Sequence, residues 1–309
     1  MGFLNLPDNP YGFTVRNWNM KLAGFPSEDS YAFYSLFDTR KQIACVADGV
    51  TRDFTDGSVV KRDLESLIKC RTGEYPKHAQ RASQICVEDF MKTKSLIGAN
   101  EEIRNYNFKI FNEIDYLGND FAGCTAAGFV EEERILNYEF ICDSGLAIFG
   151  KNGDLKFKTS SEGPNSKGSI DEEVKRKYNS SFNEQKGRAI IRSKYRNNPE
   201  EPFAYGVLTG EKNAENYIRK GKEKLNEGDR VLLYTDGVEE IIFNHNEPKG
   251  DFAKLLKEND YNSIKNYCKK RDSTEGTLIV YQKHIPAPFF PSGRNYEQFQ
   301  RDFFSPLHP

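Results

Sequence analysis

The chain of 309 residues is 37% hydrophobic and 13% aromatic, and its 44 basic and 46 acidic residues leave a formal net charge of -2. This composition supplies enough large apolar side chains for a folded core and excludes a disordered protein. The near-neutral balance gives no basic excess for binding nucleic acid or an anionic membrane surface. No apolar run reaches the roughly 18 residues that would cross a bilayer, and the N-terminus has no signal-peptide pattern, so the sequence predicts a cytoplasmic protein.

Strand and helix patterns alternate in the first half of the chain. Residues 31–37 and 42–47 are short aromatic or β-branched runs around a polar turn, which predicts two antiparallel strands. Between 57 and 116, apolar residues recur every three or four positions, which predicts two or three amphipathic helices. Strand patterns then return in a β-meander at 125–130, 135–142, 146–149 and in the LKFK run after Asn152-Gly153.

The second half opens with a polar insertion. Residues 160–205 are charged and poor in apolar periodicity, which predicts an irregular flap with one short helix at 170–178. The elements predicted after it are a buried strand at 230–235, one or two helices within 251–270, and a closing strand at 277–281.

The last 24 residues differ from the rest, because residues 286–309 mix five phenylalanines with prolines. Such a segment cannot be one continuous helix, and its aromatic side chains favour docking on its own domain or on a regulatory protein. We therefore predict a domain at 1–285 and a tail at 286–309. Runs of strands followed by runs of helices, twice over, predict an α+β domain with antiparallel sheets.

Two apolar strand patterns end in the same dipeptide, at Asp48-Gly49 and at Asp236-Gly237. A carboxylate at the end of a buried strand is held rigidly, and the glycine permits a sharp turn in which its own carbonyl faces the same point. Oxygen ligands of this kind suit Mg²⁺ or Mn²⁺, whereas zinc prefers histidine and cysteine. A single Asp-Gly is usually an ordinary turn, and Asp56-Gly57 is interpreted as one.

These dipeptides belong to a longer ordered series. It consists of Glu28-Asp29 before a strand, VADGV at 46–50, GCTAAGFV at 123–130, ICDSGLAIF at 141–149, GDRVLLYTDGVEE at 228–240 and EGTLIVY at 275–281. In order and spacing this series resembles the type 2C (PPM-type) metal-dependent serine/threonine protein phosphatases. The resemblance extends from about residue 14 to residue 282.

The resemblance implies a β-sandwich of two antiparallel sheets, flanked by helices on both sides, with a binuclear Mg²⁺ or Mn²⁺ centre at one end. Asp48 would bridge the two metals, while the Gly49 carbonyl and Asp236 would be direct ligands. Asp143 matches the ligand of a third, weaker metal. The acids that would bind the metals through waters are Glu28 and Asp29.

At two positions the chain departs from the family pattern. The family's last metal-binding aspartate corresponds to Thr274, so either Glu275 or Asp272 would take that role. Glu275 is favoured because it is adjacent in register and one methylene longer. The family's phosphate-binding arginine corresponds to Gly24, and the cations that could replace it are Lys21 and Arg16.

The implied activity is hydrolysis of phosphoserine and phosphothreonine in proteins by a metal-bridging water. Asp48 and Asp236 would be the catalytic residues. The flap carries basic KRK and RSKYR clusters, which would favour acidic or phosphorylated substrates unless they only solvate the loop. Two alternatives stay open. One is a catalytically impaired phosphatase-like binding or regulatory module, and the other is a small-molecule phosphomonoesterase.

Overall fold

A computed structural model describes residues 10–16, 26–36, 41–50, 77–117, 120–244, 247–271 and 275–283. Ten of the described strands form two five-stranded antiparallel sheets. The first sheet has the order β1-β12-β9-β6-β7, with β1 Tyr11–Arg16, β6 Gly145–Phe149, β7 Leu155–Lys158, β9 Arg230–Tyr234 and β12 Glu275–Gln282. The second has the order β2-β3-β4-β5-β8, with β2 Asp29–Leu36, β3 Lys41–Gly49, β4 Cys124–Glu132, β5 Ile135–Ile141 and β8 Arg219–Lys224. The predicted sandwich is confirmed.

Helices cover the outer face of each sheet. The second sheet is covered by α1 His78–Thr93 and α2 Leu96–Ile110, and the insertion contributes α3 Ile170–Tyr178 and α4 Gln185–Ile190. The first sheet is covered by α5 Asp236–Ile242, α6 Gly250–Lys257 and α7 Tyr261–Arg271. Short strands β10 Phe243–Asn244 and β11 Glu247–Pro248 pair beside α5. Among the described helices, none combines the length and apolar character required to cross a bilayer.

Three apolar cores explain why the central strands read as continuous hydrophobic runs. Neighbouring residues of β3 face opposite ways: Val46 packs with Leu233 between the sheets, whereas Cys45 packs with Phe90 of α1. In β9, Leu232 belongs to a third core beneath α5, α6 and α7. A strand that is covered on both faces loses the alternation of polar and apolar residues.

The insertion is more regular than the sequence predicts. The helix expected at 170–178 is α3, but α4 follows it and continues into a π-helical turn at Ile191–Tyr195. Ile191 and Tyr195 are buried against the core under α1, which stabilises these turns although charged neighbours hide their periodicity. The KRK cluster pairs with acids of the insertion, since Lys177 contacts Glu173 and Glu201.

Two strands have no clear signal in the sequence. Strand β8 reads RKGKEK and, among the described strands, pairs only with β5, so it lies at the edge of the described sheet and keeps its lysines exposed. Its strand conformation comes from that pairing rather than from an apolar pattern. Strand β1 is likewise an edge strand, paired with β12.

Several predictions from the sequence lie outside the described residues. They include residues 57–76 of the helical region expected between 57 and 116, the candidates Lys21 and Asp272, and the tail at 286–309. The division between a domain at 1–285 and the tail therefore stays a prediction, as does a regulatory partner bound by the tail.

A buried ion pair fastens the insertion to the segment that leads into β4. Arg196 donates two hydrogen bonds to Asp120, of 2.9 Å from Nη1 to Oδ2 and 2.7 Å from Nη2 to Oδ1. Arg192 approaches the same carboxylate, with Nε 3.2 Å from Oδ2. Because Asp120 and Arg196 are each only 4% exposed, neither charge could be compensated by water if its partner were removed.

We expect Asp120→Ala to lower the free energy of unfolding by about 3–5 kcal/mol, because it leaves the buried Arg196 guanidinium with only the longer contact to Glu211, 3.4 Å from Nε to Oε2. The control is Glu132→Ala, which removes the exposed ion pair with Lys41 and should cost about 0–1 kcal/mol. Urea unfolding monitored by circular dichroism measures both. Equal losses in the two variants would show that the Asp120 pair does not stabilise the insertion.

Candidate metal centre

The register of β2 and β3 places two acids side by side. Asp29, the first residue of β2, lies opposite Asp48 near the end of β3. Directly opposed residues of an antiparallel pair extend from the same face with Cβ atoms about 4.5–5.5 Å apart. The two carboxylates are thus held next to each other at one end of the sandwich.

Gly49 ends β3 against the start of α1. A Cβ atom at this position would lie 2.4 Å from the Ala79 carbonyl oxygen, so no larger residue fits without a backbone shift. The Gly49 amide donates to the Glu28 carbonyl over 3.1 Å, and the Ser83 hydroxyl donates to the same oxygen. The backbone before Asp29 is therefore fixed to the turn after Asp48.

Asp236 comes from the first sheet. It is the first residue of α5, separated from β9 by Thr235 alone, so this Asp-Gly begins a helix where the sequence predicts a sharp turn. The Gly237 amide donates to Asp236 Oδ1 over 2.6 Å. Helix α5 packs closely on β12, because a Cβ atom at Gly276 would lie 2.7 Å from the Val238 nitrogen.

Asp143 lies in the turn between β5 and β6. Burial and, to a lesser degree, the negative charge of Asp236 raise the pKa of Asp143 to about 6. The neighbouring Ser144 hydroxyl is 2.8 Å from the hydroxyl of Thr125, the residue opposite Asp48 on β4. Asp143 is therefore linked to both aspartates of the repeated dipeptide.

The acids interact electrostatically. Burial raises the pKa of Asp48 well above its usual range, and the charges of Asp29, Asp236 and Asp143 act in the same direction. Burial also raises the pKa of Asp29 to about 7, with a second contribution from the charge of Glu275. The structure thus brings together five of the acids that the sequence selects.

Glu275 begins β12 opposite Arg16 of β1. Its Oε1 accepts a hydrogen bond from the Ser27 hydroxyl and one of 3.3 Å from the Asp29 amide, and its Oε2 lies 3.3 Å from Arg16 Nε. Glu275 and Arg16, which the sequence names for separate tasks, therefore contact each other beside Asp29.

Solved structures resemble this arrangement. They include a point variant of a bacterial serine phosphatase (TM-score 0.54, 12% identity, 89% of this chain and 98% of that chain). The catalytic domain of the serine/threonine protein phosphatase PstP in complex with two manganese ions gives TM-score 0.53 and 14% identity, with the same coverages. The Mycobacterium tuberculosis phosphatase PstP/Ppp gives TM-score 0.52 and 13% identity, also over 89% and 98%. The chain has the type 2C phosphatase fold.

At 12–14% identity this likeness concerns the fold alone. Scanning family models and searching curated proteins with the sequence found no match. The resemblance drawn from the motifs is therefore confirmed for the architecture. The roles of individual residues within this type 2C fold stay predictions.

The donor set fits hard divalent cations. Every candidate ligand offers oxygen, and gathered carboxylates repel one another unless protons or cations neutralise them. Asp29 Oδ1 is buried and has no hydrogen-bond partner among the described residues, which leaves this atom for water or a cation. Within the described ranges, no three Asp, Glu, His or Cys side chains are close enough to hold an ion as they stand.

Sequence reasoning missed the hydroxyl residues around these acids. Ser27 contacts Glu275, and Thr235 donates to Asp29 Oδ2 over 2.9 Å. Thr235 directly precedes Asp236, so its place inside the motif was a usable signal. Ser27 could be found only from the three-dimensional contacts.

In EDTA, we expect the protein to lose stability as the pH rises from 5 to 8. Asp29, with a pKa raised from 3.8 to about 7, and Asp143 bind protons more tightly in the folded state than in the unfolded chain. Stability is therefore greatest at low pH and falls as the pH rises through the folded-state values. Asp29→Asn should flatten the slope, and the exposed-site control Asp251→Asn should not. Melting temperatures at several pH values measure this, and a rising melting temperature over the range would contradict it.

Proposed function

We propose that the protein is a Mg²⁺- or Mn²⁺-dependent phosphatase that hydrolyses phosphoserine and phosphothreonine in proteins. The observation that carries the proposal is the register that sets Asp29 directly opposite Asp48, at the end of the sandwich where Asp236 also lies, with the charges of Asp29, Asp236 and Asp143 acting on Asp48. These acids come from both sheets and meet at the end where the two Asp-Gly dipeptides lie. The type 2C fold supports the same conclusion.

In this proposal Asp48, the Gly49 carbonyl and Asp236 would hold two metals directly. Glu28 and Asp29 would bind them through waters, and Asp143 would hold a third, weaker metal. When bound, the cations would neutralise the phosphate oxygens and lower the pKa of a bound water enough to supply hydroxide near neutral pH. The carboxylates hold and orient this centre.

The family's last metal-binding aspartate corresponds to Thr274 in this chain. We assign its role to Glu275 rather than to Asp272. The contacts of Glu275 with the Asp29 amide and Ser27 place it beside the other acids. Arg16 is our candidate for binding the substrate phosphate, because its contact with Glu275 brings a guanidinium to this end of the sheets. A guanidinium can bind phosphate oxygens through charge-assisted hydrogen bonds.

A catalytically impaired binding module is the second candidate. It is favoured by the engagement of Glu275 with Arg16 and by the spacing of the acids within the described ranges, where no three can yet hold an ion. A phosphoprotein partner would suit either function. The cytoplasmic location and a regulatory partner at 286–309 stay predictions from the sequence.

We expect Asp48→Ala and Asp236→Ala each to lower Mn²⁺-dependent hydrolysis of p-nitrophenyl phosphate by about 100-fold or more, because each removes a charged ligand that positions the metals. The control is Asp251→Ala, an exposed acid in the first turn of α6. Circular dichroism should show that all three variants fold.

A wild-type protein that binds Mn²⁺ but hydrolyses nothing would favour the binding module. Turnover of phosphopeptides, nucleotides and sugar phosphates at saturating Mn²⁺ identifies the substrate class. Preference for nucleotides or sugar phosphates would replace the protein phosphatase assignment with a small-molecule phosphomonoesterase.

We expect Arg16→Gln and Glu275→Gln to affect different parameters. Loss of the Arg16 charge should raise KM for a phosphopeptide about 10-fold, in line with the loss of a hydrogen bond to a charged group. Loss of the Glu275 charge should weaken the apparent Mn²⁺ affinity and leave KM unchanged at saturating Mn²⁺. The control is Arg81→Gln, which removes an exposed guanidinium on α1. An unchanged KM in Arg16→Gln would refute the phosphate-binding role.

A further inference from the structure

Thr235 lies between the last residue of β9 and the first residue of α5, and its hydroxyl and amide both make hydrogen bonds. Its hydroxyl donates to Asp29 Oδ2 over 2.9 Å and accepts a hydrogen bond of 2.9 Å from the Thr277 amide. Its own amide donates to the Thr277 carbonyl over 3.1 Å. Thr235 and Thr277 are fully buried, and Asp29 is 6% exposed.

The direction of these bonds is fixed by chemistry. A hydroxyl has a single proton, and an amide can only donate. When Asp29 is ionised, as an acid that binds a metal or metal-bound water is, its carboxylate has no proton to give, so the Thr235 hydroxyl donates to it and accepts from the Thr277 amide. Asp29 Oδ2 is thereby committed as an acceptor, and Oδ1 is the carboxylate oxygen without a hydrogen bond in the described part of the chain.

The contact also joins the two sheets. Asp29 begins β2 of the second sheet. Thr235 follows β9 of the first sheet, and Thr277 lies in β12 of that same sheet. A further hydrogen bond of 2.8 Å joins the Thr277 hydroxyl to the hydroxyl of Thr14, which lies opposite Thr277 on β1. Hydrogen bonds of the Thr277 hydroxyl and amide therefore connect β1 of the first sheet, through Thr235, to an acid of the second.

We infer that Thr235 is a positioning residue for the metal centre, which sets the Asp29 carboxylate so that Oδ1 faces the space shared with Asp48. This inference rests on the proposed function and adds to it a residue that directly precedes the ligand Asp236. The next residue in the chain, Asp236, is thus a proposed metal ligand, and the Thr235 side chain orients a second acid, Asp29. Partners of this kind typically change metal affinity by about 10–100-fold when removed.

Three variants test the inference by isothermal titration of the full chain with Mn²⁺. Thr235→Val keeps the branched shape and removes the hydroxyl, and should weaken Mn²⁺ binding about 10-fold. Thr235→Ser keeps the hydroxyl and should bind Mn²⁺ like the wild type. Thr14→Val removes a hydroxyl from the same series of hydrogen bonds without touching Asp29, and should leave the affinity unchanged.

A Thr235→Cys variant, whose thiol is a weak donor, gives a second reading and takes the place of Thr235→Val if that protein does not fold. Phosphopeptide kinetics at saturating Mn²⁺ should show an unchanged KM in every folded variant, because Thr235 acts on the metals and not on the substrate.

Equal Mn²⁺ affinity in the wild type and Thr235→Val would overturn the inference while leaving the proposed function intact. Weak binding by Thr235→Ser, or equal weakening by Thr14→Val, would also overturn it, because packing or general destabilisation would then be the cause. A wild-type protein that binds no Mn²⁺ would instead overturn the proposed function, and the positioning role with it.

Discussion

The mutual repulsion of carboxylates at one end of the sandwich is the constraint on which the rest of the structure depends. Burial raises the pKa of Asp48, and the negative charges of Asp29, Asp236 and Asp143 oppose its ionisation further. Such a cluster is unfavourable for an isolated domain unless the surrounding scaffold is stable enough to enforce it. The fold supplies that scaffold through strands buried on both faces and through contacts between the two sheets.

Close contacts beside each aspartate hold the acids in place, in addition to the fold as a whole. Gly49 lets α1 press against the turn after Asp48, and Gly276 lets α5 press against β12 beside Asp236. Each acid of the repeated dipeptide is thus fixed by a helix and a strand that approach more closely than a side chain would permit. Thr235 then binds Asp29 across the gap between the sheets. Rigid support of this kind is what a precise metal centre requires.

Much of this was readable from the sequence, and the reasons are specific. The central strands were found because β3 and β9 are continuous apolar runs, and the two Asp-Gly dipeptides were found because each follows such a run. The order of the acids along the chain then predicted their convergence. Strand β8 and helix α4 were missed because pairing with β5 and packing against the α1 core define them, and neither leaves a pattern in the local sequence.

The same limit applies at the site. The sequence named Glu275 and Arg16 as candidates for separate tasks, yet the β1–β12 register makes them partners. Cross-strand register depends on residues more than 250 positions apart, and no local spacing encodes it. The hydroxyl contacts of Ser27 and Thr235 arise in the same way, from elements that meet only in the folded protein.

Strand β8 has a consequence for how molecules of this protein meet each other. An open sheet edge presents unpaired amide and carbonyl groups that can recruit the edge of a second copy. Here the edge carries Lys220, Lys222 and Lys224 at alternate positions, all exposed. Pairing of the β8 edges of two molecules would bring these like charges together. Joining of two molecules into one continuous sheet through β8 is therefore disfavoured. The segment with the weakest strand signal thus disfavours growth of the sheet at its own edge.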